Sequence, residues 1–416
     1  MAHAGEATLG TAGEFRPETL RGAEGFFRVG QDGAGRWWLA DAAGRSFFCK
    51  AVQGVRVSAA ATTGVPLAAD PAARLRAWGF NAVGTGGDGA GREDGLAFMA
   101  TVDFCRVGAA IVAPGARLPD VFDPDWPRWA TACAAEVCAP LVENRALIGW
   151  ITDDEAGWAQ PGAGGRASLL QLCLSLEPGF AAYHAAWEFT LALHGGRIEA
   201  VARAWGVALA NKEVLRALTR TEAGLRTRGY LRDDARWTRE FARRYFTVTA
   251  AAIRAADANH LVLGCRFASA VGAAVLAECV HPAVDVAMPD RSEWLAAGAE
   301  PVLAGNFFWP DEREEIFPGV AAKRRAWPRL TAVERQLKRG RAALKRLAGH
   351  PAAVGYVWGW WQDEPAEQPP FARGLVHVNG AEAREHTELL TAFNARAEAL
   401  RRAAEPGRKV KKGGAA

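Results

Sequence analysis

The segment Ile148-Gly-Trp-Ile-Thr-Asp153-Asp154-Glu155 is a largely apolar run that ends in three acids, and runs of this kind indicate the fold class. Runs that do not alternate between apolar and polar residues are typical of strands buried on both faces of a parallel sheet. With Leu147–Thr152 as the fourth, eight such runs occur: Phe48–Val55, Ala82–Gly86, Phe104–Val112, Leu147–Thr152, Leu261–Phe267, Val284–Met288, Pro301–Phe308 and Ala353–Trp358. Helical patterns separate them. The chain is therefore predicted to be an α/β protein with a closed (β/α)8 TIM barrel.

The composition excludes several classes of protein. The chain has 416 residues, is 50% hydrophobic and carries a formal net charge of +4. It is too apolar and too balanced in charge for a disordered protein, and no apolar run approaches the roughly 18 residues of a membrane span. We therefore expect neither a nucleic acid nor a membrane as partner, and the oligomeric state stays open.

Cofactor motifs and secretion signals are not recognisable in the sequence. The seven cysteines include no Cys-x-x-Cys pair, and the eight histidines are scattered without metal-ligand spacing. The sequence has no P-loop, and no Gly-x-Gly-x-x-Gly pattern opens a helix, since the glycine-rich stretch Gly84–Gly91 is predicted to be a flexible loop after strand two. We expect no metal, no cofactor and reduced thiols. Residues 1–20 do not resemble a signal peptide, so the predicted location is cytoplasmic, with secretion open if a leader was removed.

The predicted organisation is one barrel with additions. Residues 1–24 are predicted to be a flexible N-terminus, 25–400 a single barrel domain, and 401–416 a basic, disordered tail. Aromatic runs between turn residues predict β hairpins over 25–50, and Trp37 and Trp38 are expected to close the bottom of the barrel. A mostly helical insertion is predicted after strand four, over about 159–258.

The polar residues that follow each strand are the candidate site residues, because barrel active sites lie at the carboxyl ends of the strands. The acids of strand four suit a general acid, and an exposed acidic loop is the alternative. Arg266, after strand five, could orient a carboxylate or hold a substrate hydroxyl, or form a structural ion pair. Asp290 follows strand six, and Asn306 follows strand seven.

Strand eight ends in an aromatic and polar cluster, Trp358-Gly-Trp-Trp-Gln-Asp-Glu-Pro365. Sugar rings have apolar faces and polar edges, so tryptophans beside amide and carboxylate groups suit a glycan site. A core role is the alternative for each tryptophan. The predicted sugar-binding residues of this kind are Trp158, Trp309, Trp358, Trp361, Gln362 and Asp363.

Together these segments resemble the family 50 glycoside hydrolases, the β-agarases, which belong to the retaining (β/α)8 glycosidases. The resemblance runs from about Gly25 to about Leu400 in motif order. Its most specific parts are His260–Ala268 and the end of strand eight, Trp358–Pro365. It implies a (β/α)8 fold and two catalytic carboxylates, one after strand four and one after strand seven.

The catalytic positions depart from the family pattern. The resemblance implies that Glu155 is the acid/base, whereas Asp154 stands where the family has an asparagine that binds the sugar 2-hydroxyl. Asn306 occupies the position of the nucleophile, and Asp290 lies where an aromatic hydroxyl is usual. An asparagine has no carboxylate, so it cannot form the usual glycosyl-enzyme ester.

Two functions follow from these departures. The first is a hydrolase of altered mechanism, with Glu155 as general acid, Asp290 or Asp154 activating water, and Asn306 positioning the substrate. The second is a pseudo-glycosidase that binds carbohydrate without cleaving it. A third interpretation is a structural barrel with a helical interaction surface. The sequence does not decide between retention and inversion, or identify the sugar and linkage.

Overall fold

The computed structural model describes residues 15–56, 70–87, 95–113, 116–156, 168–220, 225–267, 271–289, 298–309, 332–363, 374–377 and 380–404, without the side chains of 113, 116, 155, 156, 332 and 333. The strands in this part of the chain are β1 (Arg28–Gln31), β2 (Trp37–Ala40), β3 (Ser46–Phe47), β4 (Cys49–Val52), β5 (Ala82–Val83), β6 (Ala97–Val102), β7 (Ala110–Ala113), β8 (Ala116–Pro119), β9 (Leu147–Ala156), β10 (Leu261–Phe267), β11 (Val302–Phe307) and β12 (Ala353–Trp358).

The α-helices of the described residues lie between or after the barrel strands, with five in succession between β9 and β10. They are α1 (Pro71–Ala77), α2 (Trp126–Cys138), α3 (Leu169–Ser175), α4 (Ala181–Leu193), α5 (Ile198–Trp205), α6 (Lys212–Thr219), α7 (Arg228–Ala256), α8 (Ala273–Val275), α9 (Ala332–Gly349), α10 (Arg384–Asn394) and α11 (Ala397–Ala403). Short 3-10 turns lie at Pro17–Thr19, Phe104–Arg106 and Ala139–Leu141, and a π turn at Leu276–Val280 follows α8.

A seven-stranded sheet carries the fold. Its order among the described strands is β10-β9-β6-β5-β4-β12-β11, so spatial neighbours are consecutive strands of the predicted barrel. The strand β4 pairs in parallel with both β5 and β12. Pairing of the first strand with the last is the arrangement that closes a barrel, and the predicted α/β TIM-barrel class is confirmed.

Gly355 is the point where the last strand approaches the first. It pairs with Cys49 and has a φ of +154°. A Cβ atom on Gly355 would lie 2.2 Å from the backbone oxygen of Cys49, closer than any real contact. The closing pair of strands therefore requires glycine at this position.

Two predicted strands differ from the structure. The third is Ala97–Val102, whereas the predicted run Phe104–Val112 forms a 3-10 turn and one strand of the antiparallel hairpin β7–β8. Both segments are short and apolar, and apolarity alone does not distinguish a strand from a buried turn. The sixth predicted strand, Val284–Met288, is a short segment in which Asp285 N–H donates to Val262 O of β10 at 2.8 Å.

The chain divides into two compact units. The first comprises Met1–Ala100, Asn144–Gly149 and Gly298–Ala416, and the second comprises Thr101–Glu143 and Trp150–Ala297. The predicted assignment of residues 25–400 to one barrel domain stays a prediction.

In the first unit, the hairpin sheet β1-β2-β3 covers the amino ends of two barrel strands. Trp37 donates from its backbone to Pro351 O at 2.8 Å and from Nε1 to Ala299 O at 2.6 Å, just before β12 and β11. This is the bottom of the barrel, where Trp37 was predicted to lie. From Phe15 onward the N-terminal segment also pairs with this sheet, since Phe15 forms a bridge with Asp32.

The start of the predicted basic tail is helical in the structure. Arg401, in α11, is fully buried and donates to the backbone oxygens of Trp37, His350 and Pro351. These carbonyl groups, rather than a carboxylate in direct contact, receive its hydrogen bonds. Burial lowers the pKa of Arg401 to about 9.

The second unit contains the predicted helical insertion, within which α3 to α7 lie between Leu169 and Ala256. Asn211 and Thr227 begin α6 and α7 by accepting hydrogen bonds from backbone N–H groups of the first turn. One face of the long helix α7 buries Trp237, Phe241, Tyr245 and Phe246. This face brings Tyr245 to the end of β9.

Candidate active site

The end of β9 holds a strained aspartate. Asp153 has a φ of +72°, and it and Asn306 are the only non-glycine residues with positive φ in the described part of the chain. Left-handed conformations are uncommon outside glycine and are tolerated best by asparagine and aspartate. Each of the two lies at the carboxyl end of a barrel strand, β9 or β11.

Asp153 is buried and hydrogen-bonded on both carboxyl oxygens. Its side chain is placed by the N–H of Cys105, 2.9 Å from Oδ1, and by the hydroxyl of Tyr245, which contacts Oδ2. The residue is 2% exposed. Burial raises the pKa of Asp153 to about 7, against the hydrogen bonds from Tyr245 and Cys105 that lower it, and the nearby Asp103 raises it further.

The hydrogen bonds around Tyr245 fit a protonated Asp153. The Tyr245 hydroxyl contacts Asp153 Oδ2 and also lies 2.6 Å from Thr152 O, but it has one proton to donate. A protonated Asp153 donates to Tyr245 and leaves the tyrosine free to donate to Thr152. With a pKa of about 7, the first of the three predicted acids is protonated at mildly acidic pH and loses its proton around neutrality.

Asp154 and Arg266 form an ion pair between β9 and β10. The Nε atom of Arg266 donates to Oδ1 of Asp154, and the arginine side chain is 3% exposed whereas the aspartate side chain is 24% exposed. This contact fits both the orientation of a carboxylate and the structural ion pair that were predicted for Arg266, so the choice between them stays a prediction. The contacts of Arg266 with a substrate stay a prediction.

In the first unit, Asn306 lies in β11, which pairs with β12, and Trp309 and Trp358 lie after or at the ends of these two strands. Asn306 is half-buried near the end of β11 with a φ of +45°. Trp309 and Trp358 pack edge to face, with ring centroids 4.7 Å apart, and His386 of α10 contacts both rings. Trp309 is 3% exposed and Trp358 is fully buried.

Trp361 is also a packing residue in this structure. It is 1% exposed, its ring lies 5.9 Å from that of Trp78, and the Arg74 guanidinium lies 5.7 Å from it. Burial gives Trp309, Trp358 and Trp361 the core role that was the alternative for each, and their stacking on sugar stays a prediction. Trp360, between the buried pair, is half-buried.

The polar end of strand eight is ordered by a short neighbouring segment. Gln362 donates from Nε2 to the backbone oxygen of His377 at 3.3 Å. Asp363 accepts from Gly374 N–H at 2.8 Å and lies 2.8 Å from Nδ1 of His377. Asp363 is thus paired with a histidine that the strand-end prediction did not include.

Three predicted site residues lie outside what the structure describes. Trp158 and Asp290 are not among the described residues, and Glu155 is described only as backbone within β9. Among the described residues, no group of three or more His, Cys, Asp or Glu side chains could hold a metal ion. No helix in the described part of the chain has the length and apolarity needed to cross a bilayer.

Two buried polar residues after the first strands were not predicted. Gln53 follows β4 and donates from Nε2 to Thr85 Oγ1, after β5, at 2.8 Å. Gln53 also accepts from Trp361 N–H at 2.9 Å through its backbone oxygen, so it joins the ends of strands one, two and eight. The strand-end rule, applied to the first two strands as well, would have selected both residues.

The paired parallel strands and their helices define a TIM-like barrel, and solved structures share this fold. The chain is similar to an exo-β-agarase, with a TM-score of 0.68 and 17% identity over 95% of this chain and 68% of that chain. It is similar to the agarase AgWH50C, with a TM-score of 0.67 and 17% identity over 94% of this chain and 68% of that chain. It is also similar to BpGH50, with a TM-score of 0.64 and 16% identity over 94% of this chain and 86% of that chain.

The predicted resemblance to family 50 agarases is thus confirmed as a shared fold. No family model matches the chain, and no curated protein matches it. At 16–17% identity, the likeness to these structures is one of fold. Fold does not fix activity, so function rests on the site residues of this chain.

Proposed function

We propose that the protein is a glycoside hydrolase of β-agarase type that acts on a galactan-type or other oligosaccharide, with Glu155 as general acid. The observation that carries the proposal is the left-handed backbone of Asp153 and Asn306. Each such residue costs of order 1–3 kcal/mol, and strain of this kind concentrates at active sites and ligand clamps. Asp153 lies two residues before Glu155, the acid/base position of the family, and Asn306 occupies the position of the family's nucleophile.

The hydrolytic route differs from that of the retaining glycosidases. A retaining enzyme needs a carboxylate nucleophile, and Asn306 offers only an amide. Water is therefore the nucleophile in this proposal, and the amide of Asn306 positions either that water or the sugar. The leaving oxygen takes its proton from Glu155, as in any general-acid step.

Asp154 serves best as an orienting group in this scheme. Its carboxylate receives a charge-assisted hydrogen bond from Arg266, and 24% of the side chain is exposed. A carboxylate held in this way can accept hydrogen bonds from sugar hydroxyls at a fixed position. The proton acceptor for water must then be another group, such as Asp290 or one on the side of Asn306.

A panel of agar, porphyran and other galactan oligosaccharides tests the proposal, with products separated by chromatography and identified by mass. The wild type is expected to release shorter oligosaccharides, and Glu155→Gln is expected to lower kcat by about 10²–10⁴. Glu143→Gln, which changes an exposed acid ahead of β9, is the matched control and keeps full activity. No turnover by the wild type, or equal turnover by Glu155→Gln, contradicts the proposal.

A second candidate function is carbohydrate binding without cleavage, and Asn306 favours it. This function predicts binding of an oligosaccharide from the same panel by calorimetry, without products. Trp360→Ala should weaken that binding, because Trp360 is the half-buried tryptophan of the strand-eight cluster. In Asn306→Glu, the appearance of retaining activity would show that the remaining catalytic groups are in place.

A further inference from the structure

A row of five arginines runs along α7, in the second unit. The arginines recur at intervals of three or four residues, which places them on one side of the helix. The opposite side, which includes Trp237 and Phe241, is buried. The row therefore lies along the outer side of α7, and it consists of Arg228, Arg232, Arg236, Arg239 and Arg243.

The second half of the row is neutralised by acids. Nε of Arg239 lies 3.2 Å from a carboxylate oxygen of Glu278, and Nη1 of Arg243 lies 2.6 Å from one of Glu240. Both are ordinary surface ion pairs. The arginines of this half therefore have little unbalanced charge for a partner.

The first half of the row has no such partners among the described residues. Arg228, Arg232 and Arg236 are exposed, and 61% of the Arg232 side chain is accessible to solvent. The single ion pair that these three form within the described part of the chain joins Nε of Arg232 to Oδ1 of Asp233 at 3.8 Å, which is too long for a hydrogen bond. Three guanidinium groups thus give the outer side of the helix an unbalanced positive charge.

The acids of the same helix segment point inward and hold the helix in place. Asp233 Oδ2 accepts a hydrogen bond from Trp205 Nε1 at 2.8 Å and lies 2.7 Å from Nε2 of His194. Asp234 Oδ1 accepts from Leu170 N–H at 2.9 Å. Both aspartates are buried. They therefore fix α7 against its neighbouring helices, and the arginine row is carried on a rigid element.

This placement of charge is unfavourable for an isolated helix. Like charges four residues apart repel each other. Arg228 is also the first residue of α7, whose first turn contains no acid, and the N-terminus of a helix already carries partial positive charge. A bound polyanion relieves both repulsions, so this surface is suited to a ligand with several negative charges.

We propose that Arg228, Arg232 and Arg236 form a binding surface for a sulfated galactan. The choice of a galactan rests on the carbohydrate function proposed above, and the negative charge follows from the arginines. Guanidinium groups donate paired hydrogen bonds to oxyanions. Successive arginines of this half are about 6 Å apart along the helix, so they match an anionic group that repeats along an extended polymer.

The aromatic residues of this helix segment favour a polysaccharide over a single-stranded nucleic acid. Tyr230 and Trp237 are both fully buried, so neither ring is available for the base stacking that single-strand binding uses. The sequence as a whole carries a net charge of only +4. The positive charge is thus a local feature of this face, and binding of nucleic acid is an outcome that the test distinguishes.

The binding surface is separate from the end of β9. Tyr245, whose hydroxyl contacts Asp153, lies nine residues after Arg236 and 17 after Arg228. These separations correspond to about 14 Å and about 25 Å along a straight helix. The arginines therefore hold the polymer at a distance from the candidate general acid and take no part in proton transfer.

Calorimetry of the full-length protein with porphyran, a sulfated galactan, and with the same porphyran after chemical desulfation tests the proposal. The wild type is expected to bind the sulfated form more tightly, and less tightly in about 300 mM than in about 50 mM sodium chloride. The triple variant Arg228→Gln/Arg232→Gln/Arg236→Gln is expected to bind porphyran about tenfold more weakly, because three charge pairs are lost together.

A second triple variant is the matched control. Arg45→Gln/Arg106→Gln/Arg128→Gln removes the same charge from exposed arginines that each pair with an aspartate, and it should bind porphyran like the wild type. Circular dichroism establishes that both variants are folded. Should the first triple variant not fold, Arg236→Gln alone provides the test, with an expected loss of affinity of about two- to fivefold.

The outcomes separate this surface from the proposed hydrolysis. Equal affinity of the wild type for sulfated and desulfated porphyran, or wild-type affinity in the folded variant of α7, overturns the binding surface and leaves cleavage with Glu155 as general acid untouched. Tighter binding of duplex DNA than of porphyran at equal salt overturns the polysaccharide as partner. Sulfate-dependent binding that is lost in the α7 variant supports the surface, and a lack of shorter products in the same wild-type samples then contradicts hydrolysis alone.

Discussion

The replacement of Asp153 by asparagine is expected to remove much of the stability loss that accompanies a rise in pH from the acidic range to neutrality. Burial holds the pKa of Asp153 at about 7 in the folded protein, against 3.8 as the ordinary value. Between these two values the folded state binds the proton that the unfolded state has released. The free energy of unfolding therefore falls as pH rises from 3.8 to about 7. The stability that protonated Asp153 contributes is fully present below pH 3.8.

The size of the effect follows from the two pKa values. Each unit of difference is worth about 1.4 kcal/mol, so the whole interval corresponds to about 4 kcal/mol, of which about 3 kcal/mol is lost between pH 5 and pH 8. Asparagine imitates the protonated acid, because its oxygen can accept from Cys105 N–H and its amide can donate to Tyr245. It also tolerates the φ of +72°.

Urea denaturation followed by tryptophan fluorescence at pH 5, 6, 7 and 8 measures the effect. The difference in unfolding free energy between Asp153→Asn and wild type should shift by about 3 kcal/mol in favour of the variant from pH 5 to pH 8. Asp125→Asn changes an exposed aspartate and should follow the wild type at every pH. A difference between Asp153→Asn and wild type that is the same at all four pH values would refute the assignment of a neutral Asp153.

Three further substitutions test the packing and charges described above. Asp154→Ala removes a carboxylate from the buried Arg266 guanidinium, and we expect the free energy of unfolding to fall by about 3 kcal/mol, measured by urea denaturation at pH 7. Gly355→Ala places a methyl group against the backbone of β4, so we expect the free energy of unfolding to fall by more than about 2 kcal/mol, or the protein to be insoluble on expression. In the control Gly349→Ala the added Cβ meets nothing within 4 Å, so this variant should express and unfold like the wild type. Trp361→Ala should lower stability by about 3–5 kcal/mol, and an unchanged melting temperature would contradict its core role.

Much of the fold is predictable because the barrel strands are buried on both faces. Such strands read as uninterrupted apolar runs, and the predicted bounds of Leu261–Phe267 and Ala353–Trp358 are those of β10 and β12. The third strand was wrong because two short apolar runs follow one another, and the second forms a turn. Tertiary pairing, rather than local pattern, selects between them.

The site is less predictable, because its interactions join residues far apart in the chain. Tyr245 reaches Asp153 from a helix 92 positions later, and no local motif marks that pair. His377 contacts Asp363 across 14 positions, over a connection whose path is set by glycine and main-chain hydrogen bonds. Whether a tryptophan packs in the core or faces a ligand depends on its burial, which composition does not specify. Trp358 is fully buried and is therefore a core residue.

The measurement that tests the central claim most directly is cleavage of galactan oligosaccharides by the wild type and by Glu155→Gln at equal protein concentration. The account predicts shorter products from the wild type and a decrease in kcat of about 10²–10⁴ in the variant, with unchanged circular dichroism. A wild type that binds an oligosaccharide in calorimetry but releases no product would contradict hydrolysis and establish carbohydrate binding as the function of this barrel.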